Sequence, residues 1–387
     1  MISLLEILFY IIFLAVVNSF LIYPLIITLY ARTKPSRNGE SDGGPAISIL
    51  IAAHNEEKVI AGRIENIALS DYDFSKIEVI VGSDASDDRT DEILREKMGK
   101  YDWLKIYVSE NRCGKAGILN EIVKQVNHKI LVFTDSNTVF KVDTLRNLVR
   151  DFRLDEVGGV CGKLILVDDE TSRNEGVEET RYWKYETFIK RAEGRCGVLL
   201  SANGGIFAIR KELFRTIPTE KAVTDDLFIS LSIVSIGRLF TYAEDAVAFE
   251  NIGRDIKTEF NRKLRFSATN FQTLVFFRRL LINKNRLLGY AFLSHKVTRW
   301  ILPWFLLVLL ILSFMLSAVN ILIFLFMTAQ VVFYFFSFMG LLMSLIKVRV
   351  QIFSLPYFFV VSNIAAAAGF IKFLRNKHSV IWEVTRR

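Results

Sequence analysis

Cysteine is scarce in this sequence, which has three cysteines, Cys113, Cys161 and Cys196, among its 387 residues. Their number is odd, and no two of them form a CxxC pair. This usage is typical of reduced thiols in a cytosolic domain and disfavours a disulfide framework.

Charge is missing from three long stretches. Glu6 is the only charged residue in 2–31, and residues 301–346 and 351–371 have none. An apolar helix crosses a bilayer with about 20 residues. The first and last stretches therefore suit one crossing each, and the middle stretch suits two, divided near residues 317–320.

A signal peptide is the alternative interpretation of residues 2–31. The stretch is longer than a signal peptide, has no basic n-region and lacks a small-residue cleavage site, so we interpret it as a retained anchor. Basic residues flank the region between the apolar clusters, and by the positive-inside rule that region is cytoplasmic in a plasma-membrane protein. They are Arg32, Lys34, Arg37, Lys284, Arg286, Lys296 and Arg299. The basic tail conflicts with this rule, because one crossing before the domain and three after it place the tail outside.

The net charge is +8. Basic residues close to the apolar stretches explain this charge through contact with anionic lipid of the bilayer. No basic stripe interleaved with aromatic residues occurs in the polar part of the chain, so we expect no nucleic acid partner.

Two glycine signatures are also missing. No GxGxxG follows a predicted strand, and neither Gly114-Lys115 nor Gly162-Lys163 has the preceding glycine and following Ser or Thr of a P-loop. Dehydrogenase and NTPase functions are disfavoured accordingly.

The region after residue 45 alternates between predicted strands and helices. Four apolar runs, each followed by a helical stretch, imply an α/β fold with a doubly wound, mostly parallel sheet. The predicted strands are 46–53, 77–82, 104–108 and 130–134, and the helices run to residue 69 and over 90–98, 116–123 and 142–152. In such sheets ligands bind beyond the carboxyl ends of the strands.

Polar residues follow all four predicted strands. The strands end in "HNEE" (54–57), "SDASDD" (83–88), "ENRCGK" (110–115) and "DSN" (135–137). Each of these is compatible with an ordinary polar turn or helix cap. Because all four open at the same edge of the sheet, together they predict a ligand site.

The residue types at this edge suit a nucleotide diphosphate. Asp135 and Asn137 can direct oxygen atoms at a hard divalent ion, which completes its shell with water and substrate phosphates. Asp84 could accept hydrogen bonds from a base edge, and Lys115 could neutralise the diphosphate or contact the base.

The segment "VTDDLFIS" places two acids before a helical pattern. One interpretation is structural, with Thr224 as N-cap and with Asp225 and Asp226 in the first turn, where the helix dipole favours negative charge. The other interpretation gives the acids a chemical role.

Five motifs together decide between these interpretations. "ISILIAAHNE", "VGSDASDDRTDEI", "GKAGILNE", "FTDSN" and "TDDLFIS" follow the order and spacing of the membrane-embedded family 2 glycosyltransferases. This family includes cellulose, chitin, hyaluronan and poly-N-acetylglucosamine synthases. By its motifs the resemblance covers residues 45–277.

The resemblance implies a fold of the nucleotide-diphosphosugar transferase (GT-A) type with a nucleotide-sugar donor. It implies that Asp226 is the general base for the acceptor hydroxyl, with Asp225 where the family has Glu in its T-E-D motif. Its implied donor-site residues are Asn55, Glu56 and Asp84 near a uridine, Lys115 near base or phosphate, and Asp135 with Asn137 at Mg²⁺ or Mn²⁺. Gly204 and Gly205 match the segment that lines the acceptor site, although a packed turn explains them as well.

Two positions depart from the family pattern. Asn137 replaces the second acid of D-x-D, which should weaken the ion site. The family's Q-x-x-R-W appears as "RKLRF", in which Arg262 and Arg265 can still clamp phosphates but the glutamine and tryptophan are gone. We therefore expect short products or single additions. Simple membrane anchoring is the alternative role for these arginines, because residues 259–297 alternate basic and apolar side chains.

We therefore predict an inverting membrane glycosyltransferase that uses a UDP-sugar and a glycan or lipid-linked acceptor. The alternatives are a processive polysaccharide synthase that also secretes its product and a nucleotide-sugar-binding membrane protein without turnover. The predicted organisation is a transmembrane helix (1–31), a cytosolic transferase domain (45–250), interfacial helices (251–299), about three transmembrane helices (300–375) and a tail (376–387).

Overall fold

The computed structural model describes residues 3–35, 44–167, 177–251, 256–346, 348 and 350–376. The chain divides into two compact units. Of the described residues, those in 3–26, 177–182 and 256–376 belong to the helical unit, and those in 27–35, 44–167 and 183–251 belong to the sheet unit. The predicted tail, apart from Asn376, lies outside the described residues.

The described part of the sheet unit contains an eight-stranded sheet with the order β3-β2-β1-β4-β7-β6-β8-β5. The strands are β1 (Ile47–Ala53), β2 (Ile77–Asp84), β3 (Leu104–Ser109), β4 (Ile130–Thr134), β5 (Val139–Phe140), β6 (Val157–Val167), β7 (Phe207–Arg210) and β8 (Leu239–Asn251). All seven residues of β1 are buried, as expected for the apolar run of a central parallel strand.

The predicted α/β fold with a mostly parallel sheet is confirmed. Strands β1 to β4 run parallel to one another, and β6 pairs in parallel with β8. The sequence analysis did not predict strands β5 to β8; β5 pairs with β8, and β7 pairs with β4 and β6, in the antiparallel direction. The four predicted strands lie side by side, so their carboxyl ends open at one edge of the sheet.

In the described part of the chain, helices α1 and α2 precede the sheet, α3 to α8 lie between its strands in sequence, and α9 to α14 follow it. They are α1 (Leu4–Val17), α2 (Tyr23–Arg32), α3 (Ile60–Ala68), α4 (Thr90–Met98), α5 (Gly114–Lys124), α6 (Thr144–Val149), α7 (Val177–Arg195), α8 (Asp225–Ser235), α9 (Ile256–Phe277), α10 (Arg286–Ala291), α11 (Thr298–Trp300), α12 (Leu302–Leu316), α13 (Ile321–Leu345) and α14 (Gln351–Leu374).

Among the residues that the structure describes, three helices are long and apolar enough to cross a membrane: Leu4–Arg32, in which a π-helical turn joins α1 to α2, and then α13 and α14. Helix α12 has 15 residues, fewer than a crossing needs. It is long enough for a membrane crossing only together with the helical stretch Arg286–Trp300, and the two are bent by 69° relative to each other. Pro356 lies inside α14 and does not end it.

Helix α9, predicted as part of the interfacial region, packs against α14 within the helical unit. The Ser267 hydroxyl donates to the Ala366 carbonyl at 2.7 Å. The Lys263 ammonium donates to the Ser362 hydroxyl at 2.6 Å and lies 3.9 Å from the centre of the Phe358 ring. One basic residue of this amphipathic segment therefore contacts an apolar helix.

A buried carboxylate joins three parts of the sheet unit. Glu78 on β2 accepts hydrogen bonds from the Ser48 hydroxyl at 2.5 Å, the Lys105 ammonium at 2.8 Å, and the backbone N–H and side-chain amide of Asn127 at 2.5 and 2.9 Å. Burial raises the pKa of Glu78, but these donors outweigh it and lower the pKa to about 2. The ionised form is therefore the one that stabilises the fold.

The substitution Glu78→Gln is expected to lower the free energy of unfolding by about 3 kcal/mol at pH 7, because it removes the charge from a buried, fully bonded site. The folded pKa lies below the ordinary value of 4.5, so this stabilisation is complete above pH 4.5 and decreases as pH falls toward 2. Thermal unfolding of both proteins between pH 7 and 3 should show their difference narrowing below pH 4.5. The control Glu65→Gln removes an exposed partner of Lys97 and should change nothing measurable. A difference that stayed constant down to pH 3 would contradict this account of Glu78.

Candidate active site

Asp84, the last residue of β2, organises the loop before α5. Its buried carboxylate accepts from the backbone N–H groups of Cys113 at 2.7 Å and Gly114 at 3.1 Å, and from Nε of Arg112 at 3.0 Å. His54 contacts the Asp84 carbonyl through Nδ1 at 2.8 Å and Arg112 through Nε2. The predicted contact between Asp84 and a base edge would have to compete with these three hydrogen bonds.

Asn55 connects the loops that follow β1 and β2. Its φ of 55° lies in the left-handed region, which asparagine tolerates better than most residues. Its amide exchanges hydrogen bonds with the backbone N–H (2.9 Å) and the carboxylate of Asp87, and its own N–H donates to the Ser86 hydroxyl at 3.2 Å. The Glu56 N–H donates to the Thr90 hydroxyl at 2.8 Å. These contacts make Asn55 a positioning residue at the predicted site.

Lys115 is bound by two carboxylates from different elements. Its ammonium lies 2.7 Å from Oδ1 of Asp135, after β4, and 3.1 Å from Oδ2 of Asp225, at the start of α8. Burial lowers the pKa of Lys115, but these two charges outweigh it and raise the pKa above its ordinary value. Lys115 is therefore a permanent cation that joins two other predicted site residues, Asp135 and Asp225.

Asp226 lies beside this ion pair with a perturbed pKa. Burial and the neighbouring charge of Asp225 raise the pKa of Asp226 to about 6, against the opposing charges of Lys190 and Lys115. Its Oδ1 accepts the N–H of Leu227 at 2.6 Å. Asp225 and Asp226 lie in the first turn of α8, as the structural interpretation expects, but Thr224 makes no side-chain capping bond. The structural interpretation therefore accounts for the position of the acids and not for a cap at Thr224.

Gly204 faces all three charged groups. A Cβ atom at Gly204 would lie 3.4 Å from Oδ2 of Asp226, 3.7 Å from Oδ2 of Asp135 and 3.9 Å from Nζ of Lys115. A Cβ atom at Gly205 would instead lie 2.6 Å from the Thr138 hydroxyl. Gly204 therefore leaves room for about one methyl group beside the acids, whereas Gly205 packs against Thr138. The assignment of both glycines to the acceptor site stays a prediction.

Sequence reasoning missed Lys190 on α7. Its buried ammonium donates to Oδ1 of Asn203 at 2.5 Å and to the Ala202 carbonyl at 3.4 Å, and its charge lowers the pKa of Asp226. Lys190 thus positions the turn that carries Gly204. It occurs in a helix rich in both charges, "RYWKYETFIKRAE", where nothing local distinguishes it from an exposed lysine.

Arg63 on α3 was missed as well. Its buried guanidinium donates to the Thr134 hydroxyl at 2.9 Å, and that hydroxyl donates to the Gly205 carbonyl at 2.8 Å. Burial lowers the pKa of Arg63 to about 9, and the charge of Asp135 opposes this shift. The relay from Arg63 through Thr134 fixes the end of β4 against the turn at Gly205.

The predicted metal ligands, Asp135 and Asn137, both hydrogen-bond to other protein groups. One oxygen of Asp135 accepts from Lys115, and the Asn137 amide donates to Glu250 at 3.1 Å. Within the described ranges, no group of three or more His, Cys, Asp or Glu residues could hold a metal. Oδ2 of Asp135 and the amide oxygen of Asn137 fit an ion that takes its other ligands from substrate phosphates and water.

Arg262 and Arg265 lie on α9 in the helical unit. Their guanidinium carbons lie 5.9 and 5.4 Å from the centre of the Phe266 ring. Contact between these arginines and a phosphate stays a prediction.

Part of this chain matches a known protein family. Residues 48–217 match the family model described as Glycosyl transferase family 2. The poly-beta-1,6-N-acetyl-D-glucosamine synthase of Staphylococcus epidermidis is 22% identical over 87% of this chain and 85% of its own length. The beta-monoglucosyldiacylglycerol synthase of Trichormus variabilis is 32% identical over 34% of this chain and 29% of its own length.

A solved structure shares the fold along nearly the whole chain. The mannosyltransferase PcManGT from Pyrobaculum calidifontis, in complex with GDP-Man and Mn²⁺, superposes with a TM-score of 0.74. It is 20% identical in sequence and covers 97% of this chain and 100% of its own. At that identity the likeness concerns the fold.

The two adjacent glycines make a matched test of the site geometry. Gly205→Ala should lower the free energy of unfolding by about 1–3 kcal/mol, because its methyl group would overlap the buried Thr138 hydroxyl. Gly204→Ala should change it by less than about 1 kcal/mol, because its methyl group meets only ordinary contacts. Thermal unfolding of both variants measures the difference, and equal destabilisation would show that the two glycines are not oriented as described.

Proposed function

Because the chain carries a glycosyltransferase family 2 domain over residues 48–217, we propose that it transfers a sugar, with inversion, from a nucleotide-diphosphate sugar to an acceptor hydroxyl. The donor is a UDP-sugar, and the acceptor is a glycan or a lipid-linked saccharide. One observation carries this proposal: Lys115, Asp135 and Asp226 converge on Gly204 beyond the strand ends, each 3.4–3.9 Å from the position of a Cβ atom there.

The donor half of the site consists of Lys115, Asp135 and Asn137. Lys115 is already paired with Asp135 and Asp225, so its charge is not free to neutralise a diphosphate. A diphosphate would therefore need a further cation beside these carboxylates. Asp135 and Asn137 would hold Mg²⁺ or Mn²⁺, which supplies charge neutralisation of the departing diphosphate.

The acceptor half depends on Asp226. Its ionised carboxylate takes the proton of the acceptor hydroxyl while that oxygen forms a bond to C1 of the sugar. The bond from C1 to the diphosphate oxygen breaks on the opposite face, and the nucleoside diphosphate leaves with the electron pair. The raised pKa of Asp226, about 6, makes it a stronger base than an exposed aspartate and leaves it ionised at neutral pH.

The substitution Asp226→Asn is expected to lower kcat by about 10²-fold or more while nucleotide binding is retained, because the amide cannot accept the proton. For the unmodified enzyme, kcat/KM should fall as pH decreases through about 6, where Asp226 becomes protonated. Sugar transfer and release of the nucleoside diphosphate, measured from pH 5 to 8, test both statements. Near-normal transfer by Asp226→Asn would refute the assignment of the base.

Three matched variants sharpen this test. Asp225→Asn removes the neighbouring charge that raises the pKa of Asp226, so the acidic limb should move to lower pH. Glu121→Gln, an exposed change on α5, should leave the profile unaltered. Gly204→Ala should remain folded and lose turnover, because its methyl group occupies the space between Asp226 and Asp135.

The ion site gives a separate prediction. Turnover should require Mg²⁺ or Mn²⁺, and Asp135→Ala should remove most of it, because the variant loses the carboxylate nearest the diphosphate. Asn137→Asp should lower the metal concentration needed for half-maximal turnover, because it adds a charged oxygen. Metal titrations of the three proteins measure this. Full turnover in excess chelator would exclude a role for the ion.

A processive polysaccharide synthase is the second candidate. The likeness to a poly-beta-1,6-N-acetyl-D-glucosamine synthase over 87% of this chain supports it. The partial likeness to a beta-monoglucosyldiacylglycerol synthase supports a single addition to a lipid acceptor, which we favour because Arg262 and Phe266 replace the glutamine and tryptophan of the family motif. The product-size distribution at low enzyme and excess donor distinguishes the two candidates.

A further inference from the structure

The proposed metal ligands lie on a short loop, residues 135–138, that joins β4 to β5. Within this loop the structure shows one backbone hydrogen bond, from the Thr138 N–H to the Asp135 carbonyl at 3.3 Å, which is long for an amide. The backbone of the loop therefore constrains its two ligands, Asp135 and Asn137, only weakly. Their spacing also depends on the groups that hold the two ends of the loop.

The carboxyl end of the loop is held by Asn66 on α3. The side-chain amide of Asn66 donates to the Phe140 carbonyl at 2.9 Å and accepts the Phe140 N–H at 2.8 Å. Phe140 belongs to β5, which has two residues and pairs with β8. One side chain thus supplies both hydrogen bonds that a further strand would make to Phe140.

The amino end of the loop is held by Arg63, one helical turn before Asn66. Its guanidinium donates to the Thr134 hydroxyl at 2.9 Å and to Oδ1 of Asn66 at 2.6 Å, and its carbon lies 4.0 Å from the centre of the Phe140 ring. Thr134 directly precedes the loop, and Phe140 is the second residue after it. Two side chains of one helix, joined to each other, therefore hold both ends of the loop.

Stability of the fold does not explain the choice of arginine at position 63. Arg63 is 2% exposed, and the contacts just described are all to uncharged groups. Its Nε has no hydrogen-bond partner among the described residues. Burying a cation without a carboxylate partner costs free energy that an apolar side chain would avoid. A requirement for a fixed loop accounts for this cost.

We propose that Arg63 and Asn66 are positioning residues for the metal ion, which hold the two ligands of the loop at the spacing that a divalent ion requires. This inference rests on the proposed function, which assigns the ion to Asp135 and Asn137. Mg²⁺ demands near-ideal octahedral geometry, whereas the coordination of Ca²⁺ is flexible. A loosened loop should therefore lose affinity for Mg²⁺ more than for Ca²⁺.

The test uses the full chain in phosphatidylcholine nanodiscs with UDP. The electron paramagnetic resonance signal of free Mn²⁺ gives the dissociation constant of Mn²⁺, and displacement of Mn²⁺ gives those of Mg²⁺ and Ca²⁺. Asn66→Ala should weaken Mn²⁺ and Mg²⁺ binding about 10-fold, the lower end of the range for residues that orient metal ligands. Ca²⁺ binding should weaken by about threefold or less, because its geometry is less strict.

Asn120→Ala is the matched control. Asn120 on α5 is buried and exchanges the same pair of hydrogen bonds with the backbone of Ile217, at 2.8 and 2.9 Å, outside the metal loop. Both variants should unfold at a lower temperature than the unmodified protein, because both leave a backbone N–H and a carbonyl without a partner. Only Asn66→Ala should change metal binding, and Asn120→Ala should keep it within about twofold. A role in stability alone would not separate the two variants.

Arg63→Lys keeps the test decisive if Asn66→Ala fails to fold. It preserves the buried charge, so the electrostatic effect on the ion is retained. A lysine lacks the planar fork that reaches two acceptors at once, so it cannot hold Thr134 and Asn66 as the arginine does. Mg²⁺ binding should weaken about fivefold, and this change reports the position of the loop rather than its charge.

The outcomes separate this inference from the proposed ion site. If the unmodified protein binds Mn²⁺ and both Asn66→Ala and Arg63→Lys bind it equally well, the positioning role is overturned and the ion site stands. An equal loss of Mg²⁺ and Ca²⁺ affinity would also overturn it, because the spacing of the ligands would not matter. No Mn²⁺ binding by the unmodified protein would overturn the ion site and this inference together.

Discussion

The ammonium group of Lys115 holds the candidate active site together. It bridges Asp135 at the end of β4 and Asp225 at the start of α8, while its own backbone belongs to α5. Without this cation, the acids around Gly204 would repel one another across a few ångströms. The positions of the carboxylates that we propose for catalysis and metal binding therefore depend on one half-buried lysine.

The strands and helices in the amino-terminal part of the sheet unit could be predicted because the sequence patterns there are local. Residues 90–98 form a helix with the predicted bounds, and 130–134 form β4 as predicted. Strands β5 and β7, with two and four residues, could not be predicted, because antiparallel pairing with distant strands decides their structure. The same holds for α9, whose amphipathic pattern does not show that it packs on α14.

The site could be predicted only where backbone topology brings residues together. Parallel strands place Asp84, Lys115 and Asp135 near one edge, and the structure joins Lys115 to Asp135. The orientation of each side chain depends on tertiary packing. For this reason the sequence did not show that Asp84 accepts hydrogen bonds from the loop before α5 or that Gly205 faces Thr138. Lys190 and Arg63 were missed for the same reason, because burial of a cation leaves no mark in the sequence.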